Sequence, residues 1–146
     1  MRVFVEIVVI VATALAPVAS SAQQVERVPE GIHSDGDSTP NVCGLRASSV
    51  TALEAQVRSR SDVETLDQTT EYSAYAIGDF RQLTFTTKNN RAHPAIACRQ
   101  IVAAQGGGST IQTSIACFNS RENCDWLYRE FEALTKRTMD AMNGGR

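Results

Sequence analysis

Residues 69–118 contain the clearest secondary-structure pattern in the chain and read TTEYSAYAIGDFRQLTFTTKNNRAHPAIACRQIVAAQGGGSTIQTSIACF. The stretch is rich in Thr, Tyr, Phe and Ile, which favour extended backbone, and turn-forming residues interrupt it three times. It therefore predicts four strands joined by short connections, which pair as an antiparallel meander. The predicted strands cover residues 69–77, 80–87, 95–104 and 110–118.

The first predicted hairpin turns at Gly78-Asp79, a Gly-X pair that suits a two-residue type II′ turn. With this turn, Tyr72 faces Phe85 and Ala74 faces Leu83, so one face of the two strands is apolar. The other face is predicted to be polar and comprises Glu71, Ser73, Thr84 and Thr86.

Two amphipathic helices are predicted to flank the strands. Apolar residues recur three and four positions apart from Leu45 to Val57, with Ser48, Ser49 or Thr51 as the candidate cap. After the strands, a helix begins near Asn119 and ends at Gly144. The predicted fold is α+β: a short N-terminal helix, a four-stranded antiparallel sheet and a long C-terminal helix that packs on the sheet (α-β-β-β-β-α).

The amino terminus has the pattern of a secretory signal peptide, residues 1–22, in which Arg2 precedes a short apolar run and then small residues up to Ala22. The run is shorter than a bilayer requires, so we expect export to the periplasm and no membrane span in the mature form. Residues 23–42 are polar and predict a flexible leader. Residues 43–146 then form a single disulfide-braced domain.

The four cysteines, an even number in an exported chain, predict two disulfides. If the second hairpin turns at Gly107-Gly108, Cys98 lies opposite Cys117, which leaves Cys43 to pair with Cys124. A small shift of that turn favours the alternative, in which Cys117 pairs with Cys124 and Cys43 with Cys98. Both pairings remain open at this point.

Composition and spacing argue against several classes of function. Lys and Arg total 14 against 16 for Asp and Glu, so no polybasic surface and no nucleic-acid partner is predicted. The two histidines and the cysteine spacings do not resemble a zinc site, and no Cys-X-X-Cys pair suggests redox catalysis. The triple glycine precedes a predicted strand, not the helix of a phosphate-binding loop. We therefore predict no cofactor, no metal and no enzymatic activity.

Basic residues are concentrated between positions 80 and 121, a stretch without any Asp or Glu. Within it we predict a ligand-binding set that comprises Lys88, Arg91, His93 and Arg99. Guanidinium groups bind carboxylate or phosphate through two parallel hydrogen bonds, and loops on a rigid sheet commonly carry binding residues. The alternative is that these cations pair with acidic helix faces or are simply solvated.

Three parts of this region, Phe85-Thr86-Thr87, Ala92-His93-Pro94-Ala95 and Arg99, resemble a group of small exported proteobacterial proteins of uncharacterised function. The resemblance covers about 25 residues well and implies an exported protein without implying an activity. Our first hypothesis is a non-enzymatic envelope module that binds an anionic ligand or a protein partner through residues 88–99. The alternative is a small disulfide-braced inhibitor of an envelope hydrolase, a lysozyme or a protease.

Overall fold

The computed structural model of the protein describes residues 39–144, so the predicted signal peptide and residues 23–38 of the predicted leader lie outside the described residues. In chain order, the elements are β1 (Asn41–Val42), β2 (Leu45–Arg46), α1 (Val50–Arg58), β3 (Val63–Gln68), β4 (Tyr72–Ile77), β5 (Arg81–Thr86), β6 (Ala95–Ala103), β7 (Ser109–Cys117) and α2 (Arg121–Gly144). The fold is α+β, as predicted, with a short helix before the sheet and a long helix after it.

The main sheet has five antiparallel strands in the order β3-β4-β5-β6-β7, one more than the four predicted. The additional strand, β3, pairs with β4 from Val63 opposite Ile77 to Gln68 opposite Ser73, with a bulge between Thr65 and Asp67. Five of its six side chains are exposed, so the alternation between polar and apolar residues that marks a half-buried strand is weak. β1 and β2 form a separate two-stranded hairpin.

The first hairpin of the meander is shifted by one residue from its predicted register. Ile77 lies opposite Arg81, so the turn holds three residues, 78–80, and Gly78 supplies the positive φ of 58° that this turn uses. Tyr72 therefore faces Thr86, not Phe85 as predicted. The predicted polar face is wrong for the same reason, because a shift of one residue exchanges the partners on the two faces of a strand pair.

The second hairpin is shifted by three residues, because its turn holds five residues, 104–108, between Ala103 and Ser109. Cys98 lies opposite Ser114 and Cys117 lies opposite Ala95. Cys98 and Cys117 consequently lie on opposite faces of the sheet and cannot bond to each other. The disulfides are Cys43–Cys98 and Cys117–Cys124, the second of the two predicted pairings, and they use every cysteine in the chain.

Each face of the sheet has its own buried cluster. α1 begins at the predicted cap, where the Ser49 hydroxyl accepts a hydrogen bond of 3.0 Å from the Ala52 amide, and α1 packs on one face. The large cluster on that side comprises Val42, Val50, Leu53, Val57, Tyr75, Ile77, Leu83, Phe85, Ile96 and Cys98. The cluster on the α2 side is smaller and comprises Ala92, Ala95, Ala97, Leu127 and Phe131.

The position of α2 leaves part of its own face of the sheet open. The small side chains of Ala95 and Ala97 allow the helix to approach the β6 and β7 side of the sheet, and the Cys117–Cys124 disulfide anchors its first turn to the end of β7. The same face of β3, β4 and β5 is therefore only partly covered, and a groove runs along the helix there.

Candidate functional site

The groove between α2 and the first three strands of the main sheet has a volume of about 260 Å³. It is lined by Asp67, Thr69, Tyr72, Ala74, Gln82, Thr84, Glu130, Phe131, Leu134 and Arg137. Concave surfaces that combine an apolar floor with a few polar groups are typical of small-ligand sites. This groove is the candidate functional site.

An aromatic pair forms the floor of the groove. The Tyr72 and Phe131 rings meet edge to face, with centroids 6.4 Å apart and planes at 86°, and Ala74 and Leu134 extend the apolar surface beside them. Burial is the main cause that raises the pKa of Tyr72, and the charges of Glu71 and Glu130 raise it further. The floor is therefore largely apolar, with the Tyr72 phenol at one end.

The two ends of the groove carry opposite charges. Glu130 lies at the Tyr72 end, where its charge acts on the phenol. Asp67 on the edge strand lies opposite Ala74, midway between the Tyr72 end and the Gln82 end. Arg137 lies two helical turns beyond Glu130, on the same side of α2 and about 10 Å away along its axis. Within residues 39–144, neither Glu130 nor Arg137 forms an ion pair.

A second guanidinium lies behind the basic end. Arg99 is only 8% exposed, and its Nη2 donates a hydrogen bond of 2.9 Å to the Thr138 hydroxyl. Its Nη1 donates to the side-chain oxygen of Gln82, which lines the groove, at 3.4 Å. Its buried Nε has no hydrogen-bond partner among residues 39–144. Burial lowers the pKa of Arg99, and among the described residues no carboxylate pairs with it.

The four residues predicted as a binding set do not converge on one site. Lys88 is exposed on the loop after β5. Arg91 is held against the start of α2, where it donates to Asn123 at 2.9 Å and to Glu122 at 3.2 Å, and its guanidinium lies 5.1 Å from the centre of the Trp126 ring. Arg91 thus follows the alternative considered above, in which the cations pair with an acidic helix face.

His93 is fixed by the backbone around it. Its Nδ1 lies 2.9 Å from the Thr86 carbonyl oxygen, an acceptor, so this nitrogen carries the proton. Its own carbonyl accepts a hydrogen bond of 2.6 Å from the Asn119 amide, and the peptide bond to Pro94 is cis. None of the four predicted residues lines the groove, and of the four only Arg99 forms a hydrogen bond with a residue that does, Gln82.

Several groove residues were not predicted, and their sequence signals are weak. Asp67 lies in the strand that the pattern did not predict, and the alternation of Val63 and Thr65 with Glu64 is its only trace in the sequence. Phe131 and Leu134 are apolar residues three positions apart in the predicted last helix, but this spacing does not distinguish a core residue from the floor of a groove. The sequence does not predict β3 and predicts the β4–β5 register one residue off. It therefore does not show that Asp67 and Tyr72 line the same groove as α2.

Residues 39–144 contain neither a metal-binding cluster nor a helix able to cross a membrane. No group of three or more His, Cys, Asp or Glu side chains is arranged to hold a metal ion there. In the same residues, no helix has the length and hydropathy that crossing a bilayer requires.

Comparison of the chain with models of known protein families, with curated proteins and with solved structures finds no match.

Proposed function

We propose that the protein is an exported, non-enzymatic binding module that holds a ligand with an anionic group in the groove beside α2. The observation that carries this proposal is the buried Arg99 guanidinium, which has no carboxylate partner among the described residues. Removing a cation from water costs several kcal/mol unless a counter-charge and hydrogen bonds compensate it, and the two neutral oxygens of Thr138 and Gln82 compensate it only in part.

A ligand carboxylate or phosphate would supply the missing partner. The Nε of Arg99 is free to donate, and an anion that accepts from Nε and one Nη forms the two-point contact in which guanidinium binds most strongly. The side-chain oxygen of Gln82, which lines the groove, accepts a long hydrogen bond of 3.4 Å from Nη1. Rotation of that one side chain would release Nη1 for an anion, and Arg137, which also lines the groove, would attract the anion.

The same chemistry serves a small anion and the carboxylate of a protein partner. The inhibitor alternative needs the loop from Lys88 to Pro94 to project into an enzyme, but Asn90 and Ala92 are buried, so the middle of this loop packs against its own domain.

The two disulfides support an oxidising compartment, in agreement with the periplasmic export that the signal peptide predicts.

The test is a calorimetric titration of the mature protein with acetate, 3-phenylpropionate and phenyl phosphate at low ionic strength. We expect 3-phenylpropionate or phenyl phosphate to bind, and added salt to weaken the binding. Arg99→Gln should reduce that affinity at least tenfold, whereas Arg46→Gln, an exposed arginine outside the groove, should leave it unchanged. Equal affinity of the two variants, or no binding of any of the three anions, would contradict the proposal.

A further inference from the structure

The groove presents opposite charges at its two ends, which restricts the ligand beyond a single anionic group. We propose that the ligand is a short peptide with both termini free, whose carboxylate lies at the Arg99 and Arg137 end and whose amine lies at the Glu130 end. This inference rests on the proposed function and adds the second charge and the length of the ligand.

The separation of the charges sets the length. Glu130 and Arg137 are seven residues apart on α2, which corresponds to about 10 Å at the rise of an α-helix. An extended peptide advances about 3.3–3.6 Å per residue, so three residues span this distance. A single amino acid is too short to reach both ends at once.

The surface between the charged ends suits the middle of such a peptide. Tyr72, Phe131 and Leu134 provide an apolar floor for one side chain. The side chains of Gln82 and Thr84 line the same groove and offer donors and acceptors to the polar backbone of the peptide. An extended backbone without such partners would lose hydrogen bonds to water on binding.

The acidic end argues against a ligand that is only anionic. Glu130 is the acid at this end and Asp67 lies midway along the groove, and no ion pair among the described residues neutralises either of them. An anion that extends along the groove would meet this repulsion, whereas an amine at that end would relieve it. Opposite charges at the two ends also fix the direction in which the peptide binds.

The experiment compares four probes by calorimetry with the disulfide-intact protein: Ala-Phe-Ala, its N-acetyl form, its C-terminal amide and free phenylalanine. We expect the free tripeptide to bind at least tenfold more tightly than each of the other three. Glu130→Gln should weaken the free tripeptide to the level of the acetylated one without changing the acetylated form. Glu132→Gln, an exposed acid on the same helix outside the groove, is the matched control.

The outcomes separate this inference from the proposed function. If the acetylated tripeptide binds as well as the free one and Arg99→Gln abolishes both, the anion site stands and the peptide inference is overturned. If the amidated tripeptide binds as well as the free one and Arg99→Gln has no effect, both are overturned. If no tripeptide binds while 3-phenylpropionate does, only the peptide inference is overturned.

Discussion

Arg99 in β6 donates a 2.9 Å hydrogen bond to Thr138 in α2, a contact between residues 39 positions apart. The Thr138 hydroxyl uses its own proton in a bond of 2.9 Å to the Leu134 carbonyl, so its oxygen is left to accept from the guanidinium. The contact joins sheet and helix at the basic end of the groove. It also fixes the direction in which the arginine side chain extends.

We expect Arg99→Met to leave the protein at least as stable as the wild type. The substitution removes a buried cation that has no counter-charge and keeps much of its apolar volume, so the free energy of unfolding should stay level or rise by about 1 kcal/mol. Urea denaturation of both proteins measures this difference. A loss of more than about 2 kcal/mol would show that Arg99 serves the fold.

Truncation of Leu53 should be far more costly than truncation of Leu66. Leu53 in α1 is 1% exposed, and its removal leaves a cavity, so Leu53→Ala should cost about 2–5 kcal/mol. Leu66 on the edge strand is 47% exposed, and Leu66→Ala should change stability by less than about 0.5 kcal/mol. Urea midpoints report both effects, and similar costs for the two would contradict the assignment of the core to the α1 face.

The two disulfides should contribute unequally to stability. Cys43–Cys98 closes a loop with a separation of 55 residues and Cys117–Cys124 one of 7, so chain entropy assigns about 4 kcal/mol to the first and about 2.5 kcal/mol to the second. The paired Cys→Ala variants, compared by urea denaturation, give this order. Greater destabilisation from the loss of the short bridge would be inconsistent with it.

The connectivity itself can be checked by mass spectrometry of a non-reduced tryptic digest. Cleavage at Arg99 and Arg121 separates the sequences that contain Cys98, Cys117 and Cys124. We expect peptide 92–99 to be linked to the peptide that contains Cys43, and peptide 100–121 to peptide 122–129. A link between 92–99 and 100–121 would restore the pairing that the predicted hairpin register favoured.

The protein should lose stability above about pH 10, and part of that loss should depend on Tyr75. Its hydroxyl donates to Glu54 at 2.9 Å, and burial first, then this carboxylate, raise the Tyr75 pKa above its usual 10.0. Below about pH 10 the Tyr75 hydroxyl keeps its proton in both the folded and the unfolded state. Above that pH the unfolded chain releases the proton first, so the free energy of unfolding falls as the pH rises through the raised pKa. Tyr75→Phe should lessen the fall between pH 9 and 11, and an unchanged pH dependence would refute this cause.

The sequence predicts most of the elements but not their alignment. The Ser49 cap, the Gly78 turn and the β-rich segments are local signals, and the two helices and four of the five main-sheet strands follow from them. Register depends on how many residues each turn absorbs. Adding Phe80 to the first turn moves Tyr72 from Phe85 to Thr86, and a longer second turn separates Cys98 from Cys117.

The site is less predictable than the fold, because it depends on the face that each residue occupies. The charge of Arg99 makes it a candidate binding residue in the sequence. Its burial beneath α2 arises from Ala95 and Ala97, whose small side chains let the helix approach the sheet. Lys88 and Arg91 have the same positive charge in the sequence, yet Lys88 is exposed to solvent and Arg91 is paired with Glu122. Charge in a sequence does not distinguish these three environments.

The most direct measurement is the ¹⁵N–¹H spectrum of the arginine Nε groups during titration with 3-phenylpropionate, with the Arg99 signal assigned by its loss in Arg99→Lys. If the groove binds an anion through Arg99, this Nε signal will shift and saturate together with the Arg137 signal, while that of exposed Arg46 stays in place. An unmoved Arg99 signal, or equal shifts at Arg46, would contradict binding at this site.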